Sequence, residues 1–139
     1  MLEELGGQRR RSGVGLRRDR RRGVMRRGEI FLVDLDPVLG AESNKRRPAV
    51  IVSNDGANET AKRVGYGVIT VVPVTSNVRR IHPFQVLLPA TTTGLDADSK
   101  AQAEQIRSIA VQRVGRRIGL VPASLLAALD EALRLHHAL

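Results

Sequence analysis

The chain has 139 residues, which is room for one domain with one modest hydrophobic core. Lysine and arginine outnumber aspartate and glutamate by 23 to 14, so the formal net charge is +9 at pH 7. Cysteine is absent, which excludes disulfide scaffolds, cysteine-ligated zinc and thiolate nucleophiles, and two phenylalanines and one tyrosine are too few for a protein that stacks RNA bases on aromatic platforms.

The first 24 residues differ in composition from the rest of the chain. They hold eight arginines against three acidic residues, so +5 of the net charge of +9 lies here and +4 lies in residues 25–139. Few apolar residues and no periodicity predict a basic, disordered extension over 1–24 and a folded domain over 25–139. Two interpretations stay open for the extension: an arm that binds RNA or DNA phosphates, or a segment without function. The second is preferred.

The first half of the folded part predicts two strands. Residues 29–35 nearly alternate apolar and acidic side chains, which is typical of a half-buried strand. A polar loop follows over 37–47. The β-branched run 48–53 then predicts a short buried strand, and the polar stretch 54–63 predicts no more than one helical turn.

The second half predicts three more strands and a helix. Residues 67–74 give the strongest strand prediction, and 84–88 give another. Gly94 indicates a turn region over 91–100, and 103–109 alternates as a strand with one polar face. From Pro122 onward, apolar residues recur at helical spacing, which predicts a C-terminal amphipathic helix. Its apolar stripe comprises Leu125, Leu126, Leu129, Ala132 and Leu133.

These elements predict an α+β domain dominated by antiparallel sheet. We expect a small closed or partly closed barrel, because so short a sheet must protect its edge strands. The helix stripe is expected to pack within the chain rather than at a dimer interface. The most apolar stretch, 68–74, is far shorter than the ~20 residues of a membrane span, and no apolar run follows the basic N-terminus, so we expect a cytoplasmic protein.

The sequence contains no glycine-rich phosphate loop and no dinucleotide-binding fingerprint. The three histidines do not lie on neighbouring predicted elements, so we expect neither a metal nor a cofactor. His82 is interpreted as an exposed loop residue in preference to a general base. The carboxylate pairs Asp34/Asp36 and Asp96/Asp98 have the chemistry to bind magnesium, but aspartate is common at strand ends and turns in any case.

Basic and polar side chains at predicted strand ends are the remaining candidates. Residues 45–47 precede the buried strand, 53–55 follow it, and 75–77 follow the strongest strand, with Arg79 and Arg80 soon after. Guanidinium, hydroxyl and amide donors on a rigid frame suit a phosphodiester, because they stabilise charge that develops on phosphorus. Composition alone weighs this hypothesis evenly against ordinary polar strand ends.

From Met25 onward the chain resembles the MazF/PemK-type toxins of bacterial toxin–antitoxin systems. The motifs that carry the resemblance are RRGEIFLVDLDPVLGAE (26–42), RRPAVIVSND (46–55), ITVVPVTSN (69–77), AEQIRSI (103–109) and LLAALDEAL (125–133). The resemblance implies a homodimer of small SH3-like barrels that cleaves single-stranded RNA at specific sequences without metal. Messenger RNA is the implied substrate, with ribosomal and transfer RNA as further candidates. Attack of the ribose 2′-hydroxyl would leave a 2′,3′-cyclic phosphate and a 5′-hydroxyl.

The resemblance also implies the site residues. The family's catalytic arginine, in its Arg-Pro motif, corresponds to Arg47, and its catalytic threonine corresponds to Thr75. Arg47 would stabilise the phosphorane and protonate the leaving 5′-oxygen, and Thr75 would position the phosphate or the attacking hydroxyl. RNA contacts are assigned from the motifs to Glu42, Ser53, Asn54, Ser76, Asn77 and Gln105. Loops 37–47 and 76–83 would read the bases, and an antitoxin with an acidic, flexible tail would be the partner.

Two other functions stay open. A non-catalytic nucleic-acid-binding barrel, acting as an autorepressor, would bind RNA or DNA in a salt-sensitive manner and leave RNA intact. A toxin of the same fold that acts on DNA gyrase would also leave RNA intact and would inhibit supercoiling. The pairing of Arg47 with Thr75 inside otherwise matching motifs favours the nuclease, whereas the fold by itself favours none of the three.

Overall fold

A computed structural model describes residues 25–35 and 46–139. The strands are β1 Glu29–Asp34, β2 Arg46–Ile51, β3 Val68–Thr75, β4 Gln85–Leu88, β5 Ser99–Gln102, β6 Arg107–Ala110 and β7 Val114–Leu120. The helices are α1 Asp55–Val64, α2 Ala90–Thr93 and α3 Ala123–His137, with 3₁₀ turns at Ala103–Gln105 and Val111–Arg113. The extension predicted over 1–24 and most of the loop predicted over 37–47 lie outside the described residues.

The strands form one antiparallel sheet of seven. Their order is β4-β5-β3-β2-β1-β7. Strand β6, which is not part of this order, pairs with β3. The prediction of an α+β domain with a mainly antiparallel sheet and a C-terminal helix is therefore confirmed. Within the described part of the chain the terminal strands β4 and β7 do not pair with each other, so the sheet is not closed.

Strand β3 is the branch point of the sheet. One edge pairs with β2 in a register that sets Ala49 opposite Pro73. The other edge is shared, because Val68–Val71 pairs with β6 whereas Val74 and Thr75 pair with β5. The central strand is thus held by three neighbours.

Both faces of β2 and β3 are buried, which explains their nearly continuous apolar sequence. On β2, Val50 contributes to one hydrophobic cluster and Ile51 to the other, in the alternation that a strand dictates. Leu129 of α3 belongs to the first cluster and Ala61 of α1 to the second. The intrachain packing predicted for the helix stripe is confirmed. In the described part of the chain, no helix is long and apolar enough to cross a membrane.

Helix α1 corrects the expectation of a single helical turn over 54–63. It runs for ten residues because both of its ends are capped. The Asn54 side chain accepts a hydrogen bond from the backbone N–H of Ala57 at 2.8 Å, and Gly65 adopts the left-handed conformation, φ = 88°, that ends a helix. The buried Asn58 amide donates to the Ser53 carbonyl at 2.9 Å and so ties the helix to the end of β2.

Two further expectations are wrong in detail, and one strand was not predicted. Residues 103–109 are not one strand, because the 3₁₀ turn Ala103–Gln105 separates β5 from β6. The turn region predicted over 91–100 contains most of α2 and the start of β5, where Ser99 and Lys100 are buried strand residues. Strand β7 has no counterpart among the predicted elements. Strands at 29–35, 48–53, 67–74 and 84–88 are confirmed within two residues at each end.

Candidate functional site

A groove of about 630 Å³ lies where β2 begins and β3 ends. Its walls come from both of these strands, from β1 and β7, and from the connection that leads into β5. The lining residues are Leu32, Arg46, Arg47, Pro48, Val74, Thr75, Ser76, Gly94, Leu95, Asp96, Ala97, Ser99, Arg116, Arg117 and Ile118. The start of β2, the end of β3 and the middle of β1 and β7 therefore face one space.

The structure brings Arg47 and Thr75 together. The β2–β3 ladder ends with Ala49 opposite Pro73, two residues from Arg47 on one strand and from Thr75 on the other, and both side chains line the groove. Arg47 is exposed, whereas Thr75 is half-buried. The Thr75 hydroxyl oxygen accepts a hydrogen bond from the backbone N–H of Asn77 at 3.2 Å, which leaves its own proton available to a ligand in the groove.

The groove is strongly basic. Arg46, Arg47, Arg116 and Arg117 line it, against Asp96 as the one carboxylate among the described lining residues. Arg117 pairs with the buried carboxylate of Glu29, with a distance of 2.8 Å from Nε to Oε2. In the described part of the chain no carboxylate pairs with the other three arginines, so their donors are available to an anion.

Two glycines of β7 let the walls of the groove approach each other. A Cβ on Gly115 would collide with the Arg46 guanidinium and would lie 2.9 Å from the carbonyl oxygen of Leu32. A Cβ on Gly119 would collide with the carbonyl oxygen of Thr93. These contacts set Arg46 against β7 and hold α2 close to the same strand.

The other residues assigned from the motifs are dispersed. Ser76 lines the groove, and Asn77 lies beside it in a second, smaller cavity. Ser53 and Asn54 lie at the opposite end of β2, where Ser53 Oγ bonds Asn58 and accepts from the Thr70 N–H, and Asn54 caps α1. Gln105 is exposed on the 3₁₀ turn after β5. Glu42 lies outside the described residues.

The remaining sequence candidates have structural contacts. The His82 ring is half-buried and stacks on Phe84, with ring centroids 5.1 Å apart. Asp98 accepts a hydrogen bond from the Ala90 N–H at 2.8 Å, so of the pair Asp96/Asp98 only Asp96 lines the groove. Asp34 is buried beside Arg113, and its sequence partner Asp36 lies outside the described residues. No group of three histidine, aspartate or glutamate side chains in the described ranges has the geometry to hold a metal ion.

Comparison with known families gives a match over nearly the whole described chain. The profile of the PemK-like, MazF-like toxins of type II toxin–antitoxin systems matches residues 26–137. The chain belongs to this family. Endoribonuclease MazF9 of Mycobacterium tuberculosis is 69% identical to it over 113 residues, which cover 81% of this chain and 96% of the relative.

Solved MazF structures share the fold. Toxin MazF-mt6 of Mycobacterium tuberculosis superposes with a TM-score of 0.64 at 28% identity, over 80% of this chain and 97% of that one. A MazE–MazF structure from Deinococcus radiodurans gives a TM-score of 0.62 at 25% identity, over 83% and 97%. The resemblance drawn from the motifs is confirmed.

Arg116 and Arg117 are the groove residues that sequence reasoning missed. The signal in the sequence is a pair of arginines between Gly115 and Gly119. Both glycines lie where other parts of the chain approach β7 closely. In this member of the MazF-like family they extend the basic surface across β1 from Arg46 and Arg47.

Proposed function

We propose that the protein is the toxin of a type II toxin–antitoxin system and acts as an endoribonuclease on single-stranded RNA, without a metal ion. The observation that carries the proposal is that Arg47 and Thr75 line one basic groove, on a chain of the MazF-like family. The relative that is 69% identical is named as an endoribonuclease.

The proposed reaction is an internal transesterification. The ribose 2′-oxygen forms a bond to phosphorus as its proton leaves, and the bond from phosphorus to the 5′-oxygen breaks as that oxygen takes up a proton. The products are a 2′,3′-cyclic phosphate and a 5′-hydroxyl. Arg47 supports this step with paired N–H donors to the phosphoryl oxygens, where negative charge develops in the transition state. Because free arginine keeps its proton at neutral pH, its role is that of a donor rather than a base.

The segment after β3 is proposed to read the bases. Residues 76–84 form neither strand nor helix, and Ser76 and Asn77 present hydroxyl and amide groups suited to the Watson–Crick edges of unpaired bases. Glu42 remains a proposed RNA contact from its motif, and Gln105 remains one as an exposed amide. We assign Ser53 and Asn54 instead to fixing the junction between β2 and α1.

An antitoxin is the proposed protein partner, because the family is defined by toxin–antitoxin pairs. An acidic, flexible antitoxin tail would compete with RNA for the uncompensated arginines of the groove. A homodimer is the proposed working form, as the family resemblance implies, and the cytoplasm is its proposed location.

The test is RNA cleavage in EDTA on a long mixed-sequence transcript. We expect discrete cuts with 5′-hydroxyl ends, at unchanged rates after metal removal, and an alignment of the cut sites gives the recognition sequence. Intact RNA that is nevertheless bound would favour the autorepressor. Intact RNA together with inhibited DNA supercoiling would favour a toxin that acts on gyrase.

Replacing Thr75 by valine tests the hydroxyl. Valine keeps the shape of the side chain and removes the group that donates into the groove, so kcat is expected to fall about 10²-fold with a small change in KM. Thr75→Ser restores the hydroxyl and is expected to keep most of the activity. Thr60→Val, on the exposed face of α1, is the matched control. Full activity in Thr75→Val would remove Thr75 from the mechanism.

A further inference from the structure

A second cavity, of about 320 Å³, lies beside the groove and is lined by Asn77, Arg79, Arg80 and Lys100. The two spaces are adjacent. Asn77 follows Thr75 by two residues, and Lys100 lies directly opposite Thr75 in the β3–β5 ladder. Paired Cα atoms in an antiparallel ladder are separated by roughly 4.5–5.5 Å, so this cavity begins one strand away from the Thr75 hydroxyl.

Lys100 is an unusual strand residue. Only 8% of its surface is exposed, and it lies in β5 at a buried position where an apolar side chain is usual. Its ammonium donates to the carbonyl oxygen of Arg80 at 2.6 Å. In the described part of the chain no carboxylate pairs with it. One carbonyl satisfies one of three N–H donors, so a buried positive charge is left largely uncompensated.

The other lining groups are donors as well. Arg79 and Arg80 are exposed cations without an ion pair among the described residues. The side-chain carbonyl oxygen of Asn77 accepts a hydrogen bond from the backbone N–H of Arg79 at 3.3 Å. The NH₂ group of the same side chain is therefore the part that can donate to a ligand. None of the four residues carries a carboxylate. A cavity that offers three positive charges and an amide donor is complementary to an anion.

We propose that this cavity binds a backbone phosphate of the RNA strand, adjacent to the phosphate that is cleaved. The assignment rests on the proposed ribonuclease function, since that function sets the scissile phosphate at Arg47 and Thr75. An RNA strand has a phosphate at every nucleotide, so a strand that crosses the groove along residues 75–77 brings the neighbouring phosphate to Lys100. Aligning the strand on both phosphates fixes which bond meets Arg47.

The test uses a 12-nucleotide RNA centred on a mapped cleavage site, or on a mixed sequence if no site is found. A single 2′-deoxy nucleotide at the attacking position blocks cleavage, so the dissociation constant is measured directly. Each phosphate in turn is replaced by an uncharged methylphosphonate. For the wild type, we expect a methylphosphonate at one position beside the scissile phosphate to weaken RNA binding about tenfold.

Lys100→Met removes the charge and keeps a long apolar side chain in the buried strand. We expect it to bind unmodified RNA about tenfold more weakly and to lose its sensitivity to that one methylphosphonate, with the other positions unaffected. The double variant Arg79→Ala/Arg80→Ala, which alters only exposed side chains, should weaken binding in the same way if Lys100→Met folds poorly. Lys62→Met, on the exposed face of α1, is the matched control and should change nothing.

The outcomes distinguish failure of the phosphate site from failure of the proposed ribonuclease function. Cleavage by the wild type, with an identical methylphosphonate profile in Lys100→Met, overturns the phosphate site and leaves the ribonuclease in place. If one methylphosphonate position weakens binding to the wild type but not to Lys100→Met, and the all-ribose RNA is not cleaved, the ribonuclease is overturned and the cavity remains a phosphate site. If Lys100→Met weakens binding of a glutamate octapeptide but not of RNA, the cavity serves an acidic peptide and the proposal is wrong.

Discussion

Replacing Arg47 by alanine is expected to lower the rate of RNA cleavage by about 10³-fold or more, with little change in the free energy of unfolding. The side chain is exposed and has no ion pair among the described residues, so its removal breaks no structural contact there. Under the proposed mechanism, its donors act only when a phosphate in the groove accumulates charge. Single-turnover cleavage of the mapped 12-nucleotide RNA measures the chemical step directly.

Arg47→Lys separates charge from geometry. Lysine keeps the positive charge but replaces a planar fork of donors with a point charge, so we expect a loss of about 10²-fold. Full activity in the lysine variant would contradict the bidentate contact, and full activity in the alanine variant would contradict the entire role. Arg63→Ala, an exposed arginine on α1 outside the groove, is the control that accounts for loss of net charge.

Replacing Leu129 by alanine is expected to lower the free energy of unfolding by about 2–5 kcal/mol. Leu129 is fully buried in the cluster between α3 and the sheet, so truncation removes apolar contact and leaves a cavity. Leu135 lies on the same helix but is 57% exposed, and Leu135→Ala is expected to change stability by less than about 0.5 kcal/mol.

Urea unfolding followed by circular dichroism measures both variants. A loss below 1 kcal/mol in Leu129→Ala would mean that α3 does not contribute its buried face to the stability of the domain. Because the residues that line the groove do not include any of α3, the cleavage rate per folded molecule is expected to be unchanged in both variants.

The sequence predicts best those elements whose local pattern agrees with their burial. Residues 49–52 and 69–74 contribute side chains to both hydrophobic clusters, so their apolar runs indicate strands without further information. Strand β7 has no such pattern, because Gly115 and Gly119 are required by contacts with distant residues. In β5, buried Ser99 and Lys100 look like turn residues by composition. Tertiary contacts determine these two strands, and a single sequence does not display them.

The residues of the candidate site also differ in how well the sequence predicts their positions. Arg47 and Thr75 are predictable because each stands near the end of a recognisable strand within a family motif, and the pairing of β2 with β3 brings both to one groove. Ser53 and Asn54 occur at the same kind of strand end, but local hydrogen bonds hold them at the other end of β2. Which end of a strand faces a groove depends on the topology of the sheet, which motif order alone does not specify.

The position of Thr75 at the end of the branch-point strand has a consequence for how such a protein diversifies. β3 pairs with β2, β5 and β6, and Thr75 itself pairs with Lys100 of β5, so the sheet holds the backbone that carries the hydroxyl. The next residues, 76–84, belong to no strand or helix and tolerate substitution more readily. Under the proposed function, changes there would alter which RNA sequences are recognised while Thr75 keeps its place. New target sequences would then evolve at small cost to the chemical step.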